Sequence, residues 1–346
     1  MHEMEMPKSL LSIARAGAGV NNIPLEKCAE EGIVVFNTPG ANANAVKELV
    51  IFGLLLSSRK IYPAMTWVQT LKGEGDAVGK LVEKGKANYV GPEITGKKLG
   101  IIGLGAIGIL VANAAASLGM TVYGYDPYLS VDAAWGLSQK VIHAKTLKEI
   151  YENCDFITIH VPYNKETKEM INASSMATMK TGVRILNFAR GELVNTADML
   201  AALESKKVEV YVTDFPNDEL LGHPGVLALP HLGASTPESE DNCAKMAVKQ
   251  TMDYLENGNI VNSVNLPNVS MPKSGKARIC VIHKNVGGTI SSMSTAIAGC
   301  GLNIEGMVNG SRGDYAYSIF DVDKDASAAK EAVEKCEGVI RVRLIG

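Results

Sequence analysis

The sequence predicts an α/β fold built on a doubly wound parallel sheet. Short β-rich runs alternate with helical stretches through the middle of the chain, which is the pattern of consecutive strand–helix–strand units. These runs are almost wholly apolar, as expected for strands that helices cover on both faces. Most of them end in glycine or in a polar residue, at the sheet edge where open α/β sheets bind ligands.

Six predicted strands make up this sheet. They are KLGIIG (98–103), TVYGYD (121–126), DFITIHVP (155–162), VRILNFAR (183–190), VEVYVTDF (208–215) and VLALPHLG (226–233). The fourth run places Arg190 directly after apolar residues, although a guanidinium is rarely buried unpaired. Because the carboxyl ends of parallel strands meet at one edge, we expect Arg190 to project into a cleft there.

Turn-rich segments divide the chain of 346 residues into domains. We expect a first domain at 1–92, completed by about 240–264, and a second at 93–239 that holds the parallel sheet. Residues 265–276 form a predicted linker, and residues 277–346 follow the order strand, helix, strand, strand, helix, strand.

Composition excludes several classes of partner. The formal net charge is -3, so the chain has no cationic excess for binding nucleic acid or an anionic membrane surface. The N-terminus has no signal-peptide pattern and no apolar run could span a bilayer, which predicts a cytoplasmic protein. The six cysteines form no C-x-x-C pair, so we expect neither a metal site nor a disulfide framework.

The segment GLGAIG (103–108) predicts a dinucleotide site on a Rossmann-like sheet. Gly103, Gly105 and Gly108 follow a predicted strand and open a helix, so their backbone can approach a pyrophosphate at the helix N-terminus. Asp126 ends the next strand, and residues 125–130 contain no lysine or arginine. This favours the ribose hydroxyls of NAD over a 2′-phosphate. A flexible glycine loop and a turn aspartate are the alternative interpretations.

Three ionisable residues downstream suggest alcohol oxidation. His231 could take the hydroxyl proton as hydride leaves, since imidazole titrates near neutrality. Glu219 could orient that imidazole, and Arg190 could bind a substrate carboxylate through two parallel hydrogen bonds. Taken singly, His231 could be a structural histidine and Glu219 a solvated loop charge.

The chain resembles a known family in the motifs GLGAIG, GYDP, HVP, NFARGELVN and PHLGAST and in the pair Asp214 and Glu219. That family is the D-2-hydroxyacid dehydrogenases, and the resemblance covers essentially the whole length of the chain. The resemblance implies that Arg190, Glu219 and His231 are the catalytic residues and that Asp214 holds the nicotinamide carboxamide. The implied NAD contacts are Ala106, Ile107, Asp126, Val161, Phe188, Ala189, Asp214, Gly233 and Ala234.

The same resemblance makes the N-terminal part a partial flavodoxin-like substrate domain. It implies that the glycine-containing loop at Arg15, Ala16 and Gly17 binds the substrate, with Lys86 as a further candidate. Relatives carry an additional β-α-β stretch before the position of Met1, so we expect the chain to begin inside this domain. Arg15 and Lys86 could equally be solvated surface charges.

The C-terminal module resembles a ferredoxin-like ACT domain, which senses amino acids. The resemblance implies L-serine as an effector, bound by His283, Asn285 and Asn303. Gly287 stands where the family usually has proline and loosens that loop. A small core also predicts pairing with a second copy, so we expect a homo-oligomer, a dimer or a tetramer. The alternative is a purely structural dimerising module.

These observations predict NAD-dependent oxidation of a small phosphorylated 2-hydroxy acid. Two alternatives stay open at this point. The substrate could be another acid such as glycerate or 2-hydroxyglutarate, or the chain could be an NAD-binding sensor without catalytic activity.

Overall fold

The computed structural model describes the chain from Met1 to Gly346, apart from the side chain of Asp132. It divides into two compact units. The central unit is Asn42–Ser239, and the composite unit joins Met1–Ala41 to Glu240–Gly346. The domain bounds predicted above stay a prediction.

The helices and strands are numbered along the chain. They are β1 Ser12–Ala14, α1 Leu25–Glu30, β2 Val34–Phe36, α2 Ala43–Ser58, α3 Ile61–Gln69, α4 Val78–Gly85, β3 Lys98–Ile102, α5 Ala106–Ser117, β4 Thr121–Tyr125, α6 Val131–Trp135, β5 Ile142–His143, α7 Leu147–Asn153, β6 Phe156–Ile159, α8 Ala173–Thr178, β7 Val183–Asn187, α9 Thr196–Glu204, β8 Val208–Thr213, β9 Val226–Ala228, α10 Pro237–Asn257, β10 Ala277–Lys284, α11 Thr289–Gly299, β11 Ile304–Arg312, β12 Tyr315–Val322, α12 Ser327–Glu334 and β13 Val339–Ile345. Three short 3₁₀ helices lie at Gly75–Ala77, Lys86–Tyr89 and Gly191–Leu193.

The central unit contains a seven-stranded sheet in the order β5-β4-β3-β6-β7-β8-β9, and every neighbouring pair in it is parallel. All six predicted strands are present, and the predicted parallel α/β fold is confirmed. The chain leaves β3 for β4 on one side and returns to β6 on the other. The carboxyl ends of β3 and β6 therefore form the switch point where such sheets bind ligands.

Apolar cores cover both faces of this sheet. One contains Ile157, Ile185 and Tyr211, and the other contains Val50, Leu99 and Leu186, so β7 contributes to both. The burial of alternate residues on opposite faces explains why the strands are continuous apolar runs.

The composite unit contains a four-stranded antiparallel sheet in the order β11-β12-β10-β13. The predicted order of strands and helices in residues 277–346 is confirmed. One sheet face packs on α11 and α12 through Ile279, Met293 and Val333. Its other face packs on Phe36 and Tyr254, and Phe36 belongs to the parallel pair β1 and β2.

Side chains of this antiparallel sheet cap the end of α10. Arg278 Nη1 donates to Asn257 O at 2.6 Å, Arg343 Nη2 donates to Leu255 O at 2.9 Å, and Tyr317 Oη donates to Gly258 O at 2.6 Å. The last carbonyls of a helix have no partner within the helix, so these donors replace water there. Among the described residues, no helix is both long enough and apolar enough to cross a bilayer.

Candidate active site

The loop between β3 and α5 has a backbone that only glycine allows. Gly103 has φ 96°, and a Cβ there would lie 2.6 Å from His160 O. A Cβ at Gly108 would lie 2.0 Å from Gly103 O. Since α5 begins at Ala106, the amides of Ala106 and Ile107 are in its first turn, where helices bind anions. This loop fits the pyrophosphate of a dinucleotide.

Asp126 holds the neighbouring turn. Its Oδ2 accepts from Leu104 N at 2.8 Å, and its Oδ1 accepts from Tyr128 N at 2.8 Å. The carboxylate borders a cavity of about 350 Å³ whose lining includes Leu129 and Leu137 and contains no lysine or arginine. A largely apolar cavity with one carboxylate at its edge suits an adenosine whose ribose hydroxyls donate to that carboxylate.

Asp214, directly after β8, is a buried carboxylate without a partner. It is 2% exposed, and neither oxygen has a hydrogen bond among the side chains that the structure describes. Burial raises the pKa of Asp214, while His231, the backbone amides of Asp214 and Gly233, and Arg190 lower it. The two amides lie near the carboxylate without forming a full hydrogen bond to it. An unpaired buried acceptor is costly, so the geometry favours a ligand with an N–H donor here. The carboxamide of nicotinamide has such a donor.

Asn187 organises the loop that carries Arg190. This fully buried residue ends β7, and its Nδ2 donates to Arg190 O at 2.8 Å and to Tyr211 Oη at 3.3 Å. Its Oδ1 accepts from Ala189 N at 3.1 Å. Sequence reasoning missed this role, although an amide at the end of an apolar strand was a signal. The bonds hold the backbone of Arg190 while its guanidinium stays exposed.

His231 is exposed and lies against Phe215, with ring centroids 4.6 Å apart. Glu219 lines a cavity of about 510 Å³ together with Lys168 and Glu192, and Gly191 and Phe215 line the same cavity. Within the described part of the chain, no hydrogen bond joins Glu219 to His231. Arg190 and His231 lie near enough to Asp214 to lower its pKa, whereas Glu219 makes no hydrogen bond to the imidazole in the described part of the chain.

Residues 52–233 match the model of the NAD binding domain of D-isomer specific 2-hydroxyacid dehydrogenases. The chain belongs to this family. It is 35% identical over 291 residues to a D-3-phosphoglycerate dehydrogenase of Bacillus subtilis, covering 82% of this chain and 52% of that protein. The enzyme of the same name from Escherichia coli K12 is 32% identical over 355 residues, covering 98% and 82%. The predictions of the family and of NAD as cofactor are confirmed.

A solved 3-phosphoglycerate dehydrogenase of Entamoeba histolytica with bound NAD⁺ is similar in fold. It superposes with a TM-score of 0.58 at 29% identity, covering 75% of this chain and 76% of that chain. The chain spans about half the length of the Bacillus subtilis relative.

The remaining predicted cofactor contacts lie around the same sheet edge. Gly105 precedes α5, Val161 follows β6, Ala189 precedes Arg190, and Gly233 and Ala234 follow His231. A Cβ at Gly233 would lie 3.5 Å from Asp214 Oδ2. Phe188 is buried and packs close to Gly53 of α2, so only its backbone is free for a ligand.

His160 is a further polar residue at this edge. Its Nε2 lies 3.0 Å from Thr158 Oγ1, and burial lowers its pKa to about 4. The imidazole is therefore neutral near pH 7 and adds no positive charge beside the glycine loop.

The predicted substrate residues fall in different units. Arg15, Ala16 and Gly17 belong to the composite unit, where Arg15 Nη1 donates to Ala16 O at 3.0 Å and Gly17 N donates to Thr38 Oγ1 at 2.7 Å. Lys86 belongs to the central unit, is exposed and pairs with Glu83. This exposed ion pair supports the alternative in which Lys86 is a solvated surface charge.

The predicted serine contacts differ in exposure. His283 is buried, with Nδ1 2.8 Å from Lys284 O and Nε2 2.9 Å from Ser318 Oγ. Asn285 and Asn303 are exposed. Both ring nitrogens of His283 thus have partners within the module, and Asn285 Nδ2 donates to Gly313 O at 3.0 Å. Among the described residues, the side chain of Asn303 makes no hydrogen bond.

Proposed function

We propose that this chain oxidises D-3-phosphoglycerate to 3-phosphohydroxypyruvate with NAD, the first step of L-serine biosynthesis. The arrangement of Arg190 and His231 beside the unpartnered carboxylate of Asp214 supports the chemistry. The names of the curated relatives support the choice of acid.

In this proposal, Asp214, Asp126 and the glycine loop hold NAD, which supplies the hydride acceptor. Arg190 binds the substrate carboxylate through two parallel hydrogen bonds and fixes the hydroxyl-bearing carbon. His231 takes the hydroxyl proton while the carbon loses its hydride, and it returns the proton in the reverse direction. Glu219 pairs with the charged imidazole once substrate is bound, since catalytic hydrogen bonds often form only in the complex.

Arg15, Ala16, Gly17 and Lys86 are the proposed contacts for the carboxylate and phosphate. The Arg15 guanidinium folds over its own loop, where Nε lies 3.3 Å from Gly19 O. A cation beside a glycine-containing loop offers both charge and N–H donors to an anion.

The test of the proposed function compares substrates on the intact chain. We expect kcat/KM for 3-phosphoglycerate to exceed that for glycerate by about 10-fold to 100-fold, because a hydrogen bond to a charged group contributes about 1.5–3 kcal/mol. Formation of NADH is measured with each acid and with 2-hydroxyglutarate. Equal values for 3-phosphoglycerate and glycerate would contradict the choice of substrate. NAD binding without turnover of any acid would support the sensor alternative.

We also propose that the C-terminal module is an ACT domain and that L-serine binds it to inhibit the enzyme. The strand order β11-β12-β10-β13 and the exposed Asn285 and Asn303 support this assignment. We expect serine to lower turnover of the intact chain and Asn303→Ala to remove that response. Lys330→Ala, on the exposed side of α12, serves as the control that keeps it. If serine does not change the wild-type rate, regulation by serine is contradicted. The alternative of a purely structural dimerising module would then be favoured.

Finally, we propose that the chain forms a dimer or a tetramer and that it is cytoplasmic. Large apolar side chains stay exposed on α2 and α3, among them Phe52, Tyr62 and Met65. Such a patch commonly marks an interface between proteins. Sedimentation of the intact chain measures the oligomeric state, and a monomer at assay concentration would contradict the proposal.

A further inference from the structure

Phe215 lies between His231 and the loop that carries Arg190. It follows Asp214, and its backbone N donates to Thr213 Oγ1 at 3.1 Å. Its ring centroid lies 4.6 Å from that of His231, with 53° between the ring planes. On its other side, a Cβ at Gly191 would lie 3.3 Å from Phe215 Cβ. The phenyl group therefore contacts the imidazole, and its Cβ lies close to the loop that follows Arg190.

Among the described residues, no other aromatic ring packs against the imidazole. Among the side chains that the structure describes, His231 makes no hydrogen bond, and it is exposed to solvent. An unrestrained side chain samples several rotamers, and only a fraction of them can reach a substrate proton. Packing against an aromatic ring reduces that freedom, since aromatic pairs prefer a few tilted or offset arrangements.

We propose that Phe215 is a positioning residue that holds the His231 imidazole toward the Arg190 loop before Glu219 pairs with it. This inference rests on the proposed function, since it assigns His231 the proton transfer. The glycine at position 191 is consistent with this close approach. A Cβ there would lie 3.3 Å from Phe215 Cβ, so either the loop or Phe215 would have to shift by a few tenths of an ångström.

The first test compares Phe215→Leu with Phe215→Tyr in the intact chain. We expect Phe215→Leu to lower kcat for 3-phosphoglycerate about 3-fold to 10-fold while KM for NAD stays unchanged, and Phe215→Tyr to keep most of the rate because the ring remains. The control is Phe156→Leu, which removes a phenyl group from the core of the same unit at 1% exposure. That variant should lose stability but keep kcat. Equal losses of kcat in Phe156→Leu and Phe215→Leu would overturn the proposal.

A second measurement does not depend on activity. The imidazole proton resonances of His231 are assigned by their absence from the His231→Asn spectrum. Phe215→Leu should shift these resonances, because the ring current of the phenyl group is lost, and Phe215→Tyr should shift them far less. Unchanged resonances in Phe215→Leu would refute the packing whatever the enzyme turns over. A shift in a chain that oxidises no 2-hydroxy acid would instead count against the proposed function alone.

Discussion

His231→Asn should lower kcat by about 10²-fold to 10⁴-fold, the usual contribution of a general acid or base. Asparagine keeps a polar side chain but cannot accept the hydroxyl proton as hydride leaves. NAD affinity should not change, because the His231 side chain is not among the predicted cofactor contacts. The rate of NADH formation measures the first effect, and calorimetric titration with NAD measures the second.

The matched control is His223→Asn. His223 also lies in the central unit, but its Nε2 faces Glu204 at 3.1 Å and its Nδ1 accepts from Gly225 N at 3.0 Å. That substitution should leave turnover close to the wild-type rate. Near-normal kcat in His231→Asn, or a comparable loss in His223→Asn, would remove His231 from the mechanism.

Asp321→Asn should produce the largest loss of stability, about 3–5 kcal/mol, as is typical when one partner of a buried ion pair is removed. Arg278 and Asp321 have side chains with 0% exposure, and Arg278 Nε lies 2.7 Å from Asp321 Oδ1. Asp321 Oδ2 also accepts from Ser274 N at 2.7 Å. The substitution leaves the guanidinium buried without its counter-charge. Urea unfolding of the intact chain measures the change in free energy.

Two further variants test whether the unpaired buried charge causes the loss of stability. Replacing both partners, as in Arg278→Met with Asp321→Leu, should recover much of the lost stability, because an apolar pair leaves no unpaired buried charge. Glu334→Gln breaks the half-exposed pair with Lys330 and should cost no more than about 0.5 kcal/mol. A single variant as stable as the wild type would show that the pair is not required.

The same pair predicts a loss of stability in acid. Burial alone would raise the pKa of Asp321, but the hydrogen bonds from Arg278 and Ser274 outweigh it and lower that pKa. A carboxyl group with a lowered folded-state pKa stabilises the fold above its unfolded pKa, about 3.9. This contribution is lost as the pH falls through the lower folded-state value. Below about pH 4, the free energy of unfolding of Asp321→Asn should therefore depend less on pH than that of the wild type.

Much of the candidate site could be predicted from the sequence alone. The six predicted strands of the central sheet are short apolar runs, and each ends close to a residue of the site. GLGAIG, Asp126, Arg190 and His231 were found because their chemistry is local, depending on residue type and on the position after a strand. The position of Glu219 was also predicted, but its pairing with His231 depends on the course of a loop that local patterns do not determine.

Other features depend on which strands become neighbours. Arg278 and Asp321 look like ordinary surface charges in their own segments, and they form a buried pair only because β10 and β12 align Arg278 with Asp321. Asn187 reaches Tyr211 Oη because β7 and β8 are adjacent. In the same way, Phe215 meets His231 only through the end of β8 and the turn after β9.

The sequence by itself determined the α/β class, the dinucleotide loop and the candidate catalytic residues, because apolar runs, glycine spacing and residue chemistry are properties of short segments. Only the tertiary structure decided the strand order, the unpartnered burial of Asp214 and the contact between Phe215 and His231. Burial and contact depend on groups that are distant in sequence. These groups come together only when helices pack on the two faces of the sheet and exclude water from the cores.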